Sequence, residues 1–290
     1  MTAATLIRGS AADVLRASID TNTVHAIYLD PPFGNEQVWT AAAGSFDDRW
    51  AWSPASAAGW AALRRHTAVG ADLLAAAVTV APKVARAYLG VIAGILIEGW
   101  RTLRPTGTLW LHHDDTMGAY LRLLGDVVFG PGLQVGTVIW KRSAAKTNTS
   151  RSFGRNHDTM AVWARTRAAR WRLWRCGSDL VQGDPCGRLH VAGFAEERLS
   201  STARERVGYP TQKPVALLER VVRAATLPGE TILDPTCGSG TTLVAAVGLG
   251  RRAIGIDASP DAIAAARARL KLPEPASAAQ QGELFGWAAA

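Results

Sequence analysis

The sequence predicts an α/β fold built on a mostly parallel sheet, and three observations carry that prediction. In the last third of the chain a helix (215–226) is followed by strand 231–233, helix 241–249, strand 253–256 and helix 260–270. Strand, helix, strand, helix at this spacing requires a parallel sheet with both faces covered. Two of the short strands, at 24–29 and 231–233, run into loops that cannot continue a ladder, Asp30-Pro31-Pro32 and the glycine-rich stretch 234–242. A chain of 290 residues, 48% hydrophobic and 19% charged, also holds enough apolar material for a large core. That balance excludes disordered, collagen-like and small disulfide-bridged classes.

Taken in order, Leu6-Ile7-Arg8 and residues 24–29 read as strands, and the Ala- and Trp-rich stretch 35–80 reads as an insertion of loop and helix. Residues 87–103 are apolar enough for a buried helix, stopped by Arg104-Pro105-Thr106-Gly107 before strand 108–112. A helix over 117–129 ends at Gly130-Pro131-Gly132, strands follow at 134–140 and 158–163, and 164–208 is irregular enough to be an inserted region. Leu227-Pro228-Gly229 stops the helix over 215–226, Gly250 closes the next, and Ser259 as N-cap with Pro260 at the first helical position starts the last. The expected organisation is 1–163 and 209–270 as two halves of one domain, 164–208 as a short recognition region, and 271–290 as a mobile tail rich in Ala, Pro and Gln.

Cys176, Cys186 and Cys237 show no Cys-x-x-Cys spacing, which argues against a disulfide framework or a four-ligand zinc site and for a reducing cytoplasm. The start of the chain lacks a secretory signal, and its most apolar stretch, 73–97, is broken by Pro82, Lys83 and Arg86. A soluble, cytoplasmic protein with no membrane partner is expected.

The formal net charge of +8 is concentrated in one segment. Lys141, Arg142, Lys146, Arg151, Arg155, Arg165, Arg167, Arg170, Arg172 and Arg175 face a single acid, Asp158, and the rest of the chain is close to neutral. Trp140, Phe153, Trp163, Trp171 and Trp174 are interleaved with them. Cationic side chains alternating with aromatic platforms suit a polyanion with π-faced bases, so nucleic acid is the expected partner and these ten residues the expected contacts.

Asp234-Pro235-Thr236-Cys237-Gly238-Ser239-Gly240-Thr241-Thr242 joins a strand to a helix, where glycines let the backbone approach a ligand at the carboxyl edge of the sheet. Asp257 ends the next strand nineteen residues after Gly238, the spacing of a carboxylate that receives ribose hydroxyls. No Lys follows the glycines, and Asp234 at the mouth would repel a pyrophosphate. S-adenosylmethionine, with an α-ammonium, a sulfonium and no phosphate, suits that acidic mouth. At Asp30-Pro31-Pro32-Phe33, a carboxylate and a proline-fixed carbonyl accepting the two N–H groups of a base would localise the lone pair of its exocyclic nitrogen, with Phe33 stacking on the extruded ring.

Asp30-Pro31-Pro32-Phe33, Tyr209-Pro210-Thr211-Gln212-Lys213-Pro214 and Asp234 to Thr241 resemble, in that order, the catalytic and cofactor motifs of the β group of DNA amino-methyltransferases. The resemblance covers about residues 5 to 270. Leu103-Arg104-Pro105-Thr106-Gly107, and Val138-Ile139-Trp140-Lys141-Arg142 leading to His157-Asp158, resemble adenine-specific members, modification subunits among them. The resemblance implies a Rossmann-like, mostly parallel seven-stranded sheet with the strands bearing Asp30 and Asp234 as neighbours. It implies that Asp30 contacts the amino group, helped by Pro31 and Pro32, and that Phe33 stacks on the base. It assigns the methionine part to Asp234, Pro235, Thr236, Cys237, Gly238, Ser239, Gly240 and Thr241, the ribose to Asp257, and cofactor or loop contacts to Thr211, Gln212 and Lys213. Many relatives have Gly-Asp where this chain has Gly9-Ser10, which leaves Asp13 as the candidate contact to the adenine ring.

The implied activity is methyl transfer from S-adenosylmethionine to N6 of adenine in duplex DNA, by base flipping. Aspartate rather than serine at position 30 favours adenine over the alternative, N4 of cytosine. Cytosine C5 is disfavoured because it needs a thiolate, and Pro185-Cys186 lacks a strand to deliver it. An RNA or protein methyltransferase and a non-catalytic DNA-binding protein are the rivals. A homodimer, a restriction partner and a sliding-clamp contact through Gln281-Gly282-Glu283-Leu284-Phe285 are the further partners considered. His112-His113-Asp114-Asp115 does not read as a metal site, because successive strand residues face opposite ways.

Overall fold

Along every central strand the side chains alternate between two buried faces, the condition for a sheet covered by helices on both sides. The computed structural model describes residues 3–141, 157–169 and 203–273. Its strands in chain order are β1 (Ala4–Arg8), β2 (Val24–Leu29), the short β3 (Val38–Ala41) and β4 (Gly44–Asp47), β5 (Leu103–His113), β6 (Gln134–Lys141), β7 (His157–Ala164), β8 (Thr231–Asp234) and β9 (Arg252–Asp257). The helices are α1 (Ala11–Ser18), α2 (Pro54–His66), α3 (Ala68–Ala77), α4 (Ala85–Thr102), α5 (Gly118–Phe129), α6 (Val215–Ala225), α7 (Thr241–Gly248) and α8 (Pro260–Leu270). Seven strands form one sheet in the order β1-β9-β8-β2-β5-β7-β6, parallel except for β7, which runs antiparallel to both neighbours; β3 and β4 form a separate hairpin.

Ile27 and Leu29 of β2 enter one core with Leu109 and Leu111 of β5 and residues of α1 to α5, while Ala26 and Tyr28 enter the other with Trp110, Ile232 and residues of α6 and α7. Tertiary burial, not local propensity, fixes the shorter helices. At eight residues α1 is too short to persist alone, and Leu15, fully buried, docks it in the first core. Helix α2 crosses α4 at glycine, because a Cβ on Gly59 would lie 1.7 Å from the carbonyl oxygen of Gly90. No described helix is long and apolar enough to cross a membrane.

In space the sheet extends from β2 to β5, β7 and β6 on one side, and from β8 to β9 and the N-terminal β1 on the other. Thus β2 and β8 are neighbours where the order reverses, and the crevice beyond their carboxyl ends is where such sheets bind ligands. The fold agrees with the expected strands and helices and adds five elements to them. Helix α1 was not foreseen, and the stretch 35–80 resolves into the hairpin, α2 and α3. The break expected at Arg104-Pro105-Thr106-Gly107 lies inside β5, as an irregularity between the pairs Val24↔Leu103 and Ala26↔Thr108.

Candidate active site

Asp30 follows β2 directly and Asp234 ends β8, so the sheet delivers both carboxylates to its carboxyl edge. They line one cavity of about 290 Å³ with Phe33, Lys213, Gly238 and Asp257.

On the Asp30 side, the loop after the double proline is tied down by Asp48, which is 1% exposed. Its carboxylate accepts from the amides of Gly34 and Asn35, each at 2.9 Å, and from Trp50 Nε1 at 2.8 Å. Behind Asp30 the register places His112 one step beyond the pair Leu29↔Leu111. His112 Nδ1 lies 2.6 Å from the Tyr28 hydroxyl and 3.9 Å from Asp30 Oδ1, and its Nε2 lies 3.4 Å from Asp158 Oδ2. Burial, reinforced by Asp30, Asp234 and Asp158, pushes the Tyr28 phenol well above its ordinary range, so it stays protonated. The phenol and Nδ1 share one hydrogen bond, while Nε2 faces the Asp158 carboxylate. In front, Lys213 Nζ is 2.5 Å from Asp30 Oδ2 and 5.2 Å from the centroid of the Phe33 ring.

Lys213 arrives there along a constrained path. Thr211 holds a φ of +57°, a left-handed conformation that costs a residue with a Cβ roughly 1 kcal/mol or more. The side chain of Gln212 stabilises this turn by accepting from Val207 N at 3.0 Å and donating to Glu205 O at 2.8 Å. Gln212 is thus engaged with its own loop, and Lys213 is turned toward Asp30.

On the other side, Asp234 is 3% exposed, and burial pushes its carboxyl up to about 7 against the hydrogen bonds from Thr242 and the Thr236 amide. Gly240 holds a φ of +76°, and a Cβ there would meet Ala266 Cβ at 2.8 Å, so the turn packs directly on α8. Asp257 accepts from the Gly238 and Ser259 amides, each at 2.9 Å, while burial raises its carboxyl. With the Ala258 amide also turned to it, the Asp257 carboxylate still keeps acceptor capacity for a ligand hydroxyl. Burial also pushes the Cys237 thiol well up, which leaves it protonated and unreactive.

Several of these groups had been missed. Tyr28 precedes Asp30 by two residues on the same strand path, and that spacing is a usable signal for a shared face. Asp48 and the cavity-lining pair Trp39 and Phe46 gave no local signal, and the sequence motifs containing His112 and Asp158 did not point to this site. Nor did Arg269, whose Nη1 donates to Ser239 O at 3.0 Å and Thr241 Oγ1 at 2.9 Å and so clasps the glycine turn. Asp13 is not at the cavity: it sits on the exposed face of α1, paired with Arg16 at 3.3 Å, and Ala11 lines the cavity instead. His112 and His113 serve separate neighbours, Tyr28 and the Asp114 carbonyl.

The expected basic contacts divide. Lys141 ends β6 at the same sheet edge as Asp30 and is exposed, whereas the antiparallel β7 carries Arg165 and Arg167 to the opposite edge. Arg165 stacks on Trp100, 3.3 Å from its ring centroid. Trp140 and Trp163 are core residues, 2% and 0% exposed, and not the stacking platforms expected. Arg142, Lys146, Arg151, Arg155, Arg170, Arg172, Arg175, Phe153, Trp171, Trp174, Pro185, Cys186 and the segment 281–285 lie outside the described residues.

A mostly parallel sheet with acidic side chains at its switch point, a glycine turn and a following carboxylate places a lined cavity where doubly wound α/β proteins bind their ligands. Residues 24–268 match the profile of the DNA methylase family of N6 and N4 methyltransferases, and the chain belongs to that family. It is 32% identical over 173 residues to the Type II methyltransferase M2.DpnII of Streptococcus pneumoniae, an alignment spanning 58% of this chain and 62% of that protein. The chain therefore spans about three fifths of the length of the curated relatives it matches. Among solved structures, its fold is similar to that of the cytosine-N4-specific PvuII DNA methyltransferase, with a TM-score of 0.61, 14% identity, and coverage of 98% of this chain and 93% of that one. The M1.HpyAVI–SAM complex gives a TM-score of 0.53 at 17% identity, over 92% and 99% of the two chains.

Proposed function

We propose that this protein is an S-adenosylmethionine-dependent DNA amino-methyltransferase that modifies N6 of adenine in duplex DNA. The observation that carries the reading is the single cavity shared by Asp30 and Asp234. Membership of the N6 and N4 methyltransferase family supports the reaction class and a DNA substrate.

The residues present fit the cofactor. A buried carboxyl held up at about 7 is a poor anion by itself but a strong partner for a cation brought beside it. The cofactor's ammonium and sulfonium meet that need, and Asp257 has lone pairs free for ribose hydroxyls. When bound, S-adenosylmethionine supplies an electrophilic methyl group. The remaining work belongs to the chain. Asp30 accepts an N–H of the extruded base, the carbonyl of Pro31 or Pro32 takes the second, and Phe33 stacks on the ring, so the nitrogen lone pair is drawn out of conjugation. Asp48 holds the loop that carries these groups in place. Because Asp30's contact strengthens as the nitrogen becomes tetrahedral, its removal acts on turnover more than on binding.

Adenine is preferred on the aspartate at position 30. Transfer of tritium from methyl-labelled cofactor to DNA, RNA and protein tests the proposal: DNA alone is labelled, and Asp30→Ala lowers the rate at least a hundredfold with cofactor binding retained. Label in RNA or protein, or near wild-type turnover by the variant, refutes it. The same labelled product, hydrolysed to nucleosides, separates adenine N6 from cytosine N4.

A further inference from the structure

The carboxylate proposed to receive the target base is already engaged, and only one of its two oxygens is within a ligand's reach. Asp30 Oδ1 is shut off from solvent, has no hydrogen-bond partner among the described residues, and faces the buried His112 at 3.9 Å. Oδ2 is the oxygen turned toward Lys213, whose ammonium lies 2.5 Å away and 5.2 Å from the centre of the Phe33 ring. That ammonium is an N–H donor placed between the carboxylate and the aromatic face, the two features a base amino group would use. The pair is mostly sheltered, with side chains 13% and 19% exposed, and Lys213 is aimed by the strained, clasped turn at Thr211 and Gln212.

We propose that Lys213 is a place-holder for the target amino group: in the resting site its ammonium fills the acceptor position between Asp30 and Phe33, and an extruded base enters by displacing it. Lys213 is thus a positioning residue of the acceptor half, distinct from the cofactor contacts that its motif suggested. The inference rests on the assignment of Asp30 as the acceptor of the target N–H. Its physical consequence is a competition. A base gains the Oδ2 contact only by breaking an ion pair, so the pair discriminates against entry of groups that cannot match a cation's hydrogen bond.

Two measurements test it, one of them independent of activity. In the free protein, acylation by acetic anhydride, read residue by residue by mass spectrometry, proceeds more slowly at Lys213 than at the exposed Lys83 and Lys271. Asp30→Asn removes the partner charge and speeds acylation of Lys213 relative to those two. An unchanged rate in Asp30→Asn overturns the proposal, whether or not the protein methylates DNA. In steady-state methylation of unmethylated, sheared genomic DNA, Lys213→Met lowers KM for DNA by roughly three- to tenfold, the range of a partly sheltered ion pair, and leaves KM for the cofactor unchanged. Lys213→Arg, which keeps the charge and the donors, restores the wild-type KM for DNA. A raised KM for the cofactor with no fall in KM for DNA shows a cofactor contact and overturns the place-holder alone, while a wild type that labels no DNA refutes the functional reading and the place-holder with it.

Discussion

Asp234→Asn makes the protein more stable while removing a group the account requires for function, and the size of the effect depends on pH in a defined direction. Asp234 is 3% exposed, and its carboxyl is displaced from 3.8 to about 7, chiefly by burial. Between those values the folded state binds a proton that the unfolded state has released, so stability falls as the pH rises through that window. Integrated, the penalty is about 4 kcal/mol above pH 7 and less than half of that near pH 5. Asparagine fills the same space, can still accept from the Thr236 amide, and carries no such penalty. At about 2–4 °C per kcal/mol for a large domain, the variant melts roughly 8–16 °C above wild type at pH 8, and the gap narrows toward pH 5. Scanning calorimetry of both proteins from pH 5 to pH 8, with and without S-adenosylmethionine, is the assay. The cofactor raises the Tm of wild type and not of the variant, because its cation offsets the cost of the buried charge only where that charge exists. A gap independent of pH, or a variant that melts lower at pH 8, would refute the reasoning.

The same displaced carboxyl predicts that cofactor affinity, measured by calorimetric titration, falls as the pH drops below about 7, where Asp234 takes up its proton. Asp48→Ala leaves the Gly34 and Asn35 amides and Trp50 Nε1 without their acceptor. The loss is about 3 kcal/mol or more, read as a lower denaturant midpoint with unchanged slope and a lower kcat. Gly240→Ala forces a Cβ into both the left-handed region and Ala266, so it lowers Tm and weakens cofactor binding together.

Much of this architecture was legible in the sequence because its signals are local. The strand over 24–29 is where it was expected, since an apolar run stopped by two prolines has little freedom, and the Gly-rich turn with Ser259 and Pro260 fixed the last strands and helices. The hairpin of β3 and β4 was hidden because its turn, Ala42-Ala43, carries none of the Gly, Asn or Asp that marks such loops. Helix α1 was hidden for a different reason: its one fully buried anchor, Leu15, acquires meaning only when α4 supplies the surface beneath it.

At the site, the motif residues could be listed, but their partnerships could not. Lys213 lies 183 positions from Asp30 in sequence, and Asp158 and His112 reach the back of the site through sheet pairing. The charge of the basic segment was countable, whereas its direction was not. An antiparallel strand sends Arg165 and Arg167 away from the edge that Lys141 shares with Asp30, and the indole of Trp100 takes up the Arg165 guanidinium.

In the proposed reaction one cleft joins a donor carboxylate, Asp234, to an acceptor carboxylate, Asp30, for transfer of a methyl group to an exocyclic nitrogen. Nucleoside mass spectrometry of DNA from a methylation-deficient host expressing the protein tests it most directly. N6-methyldeoxyadenosine is expected with the wild type and none with Asp30→Ala, whereas 5-methyldeoxycytidine, or DNA left unmodified by the wild type, would rule the proposed reaction out.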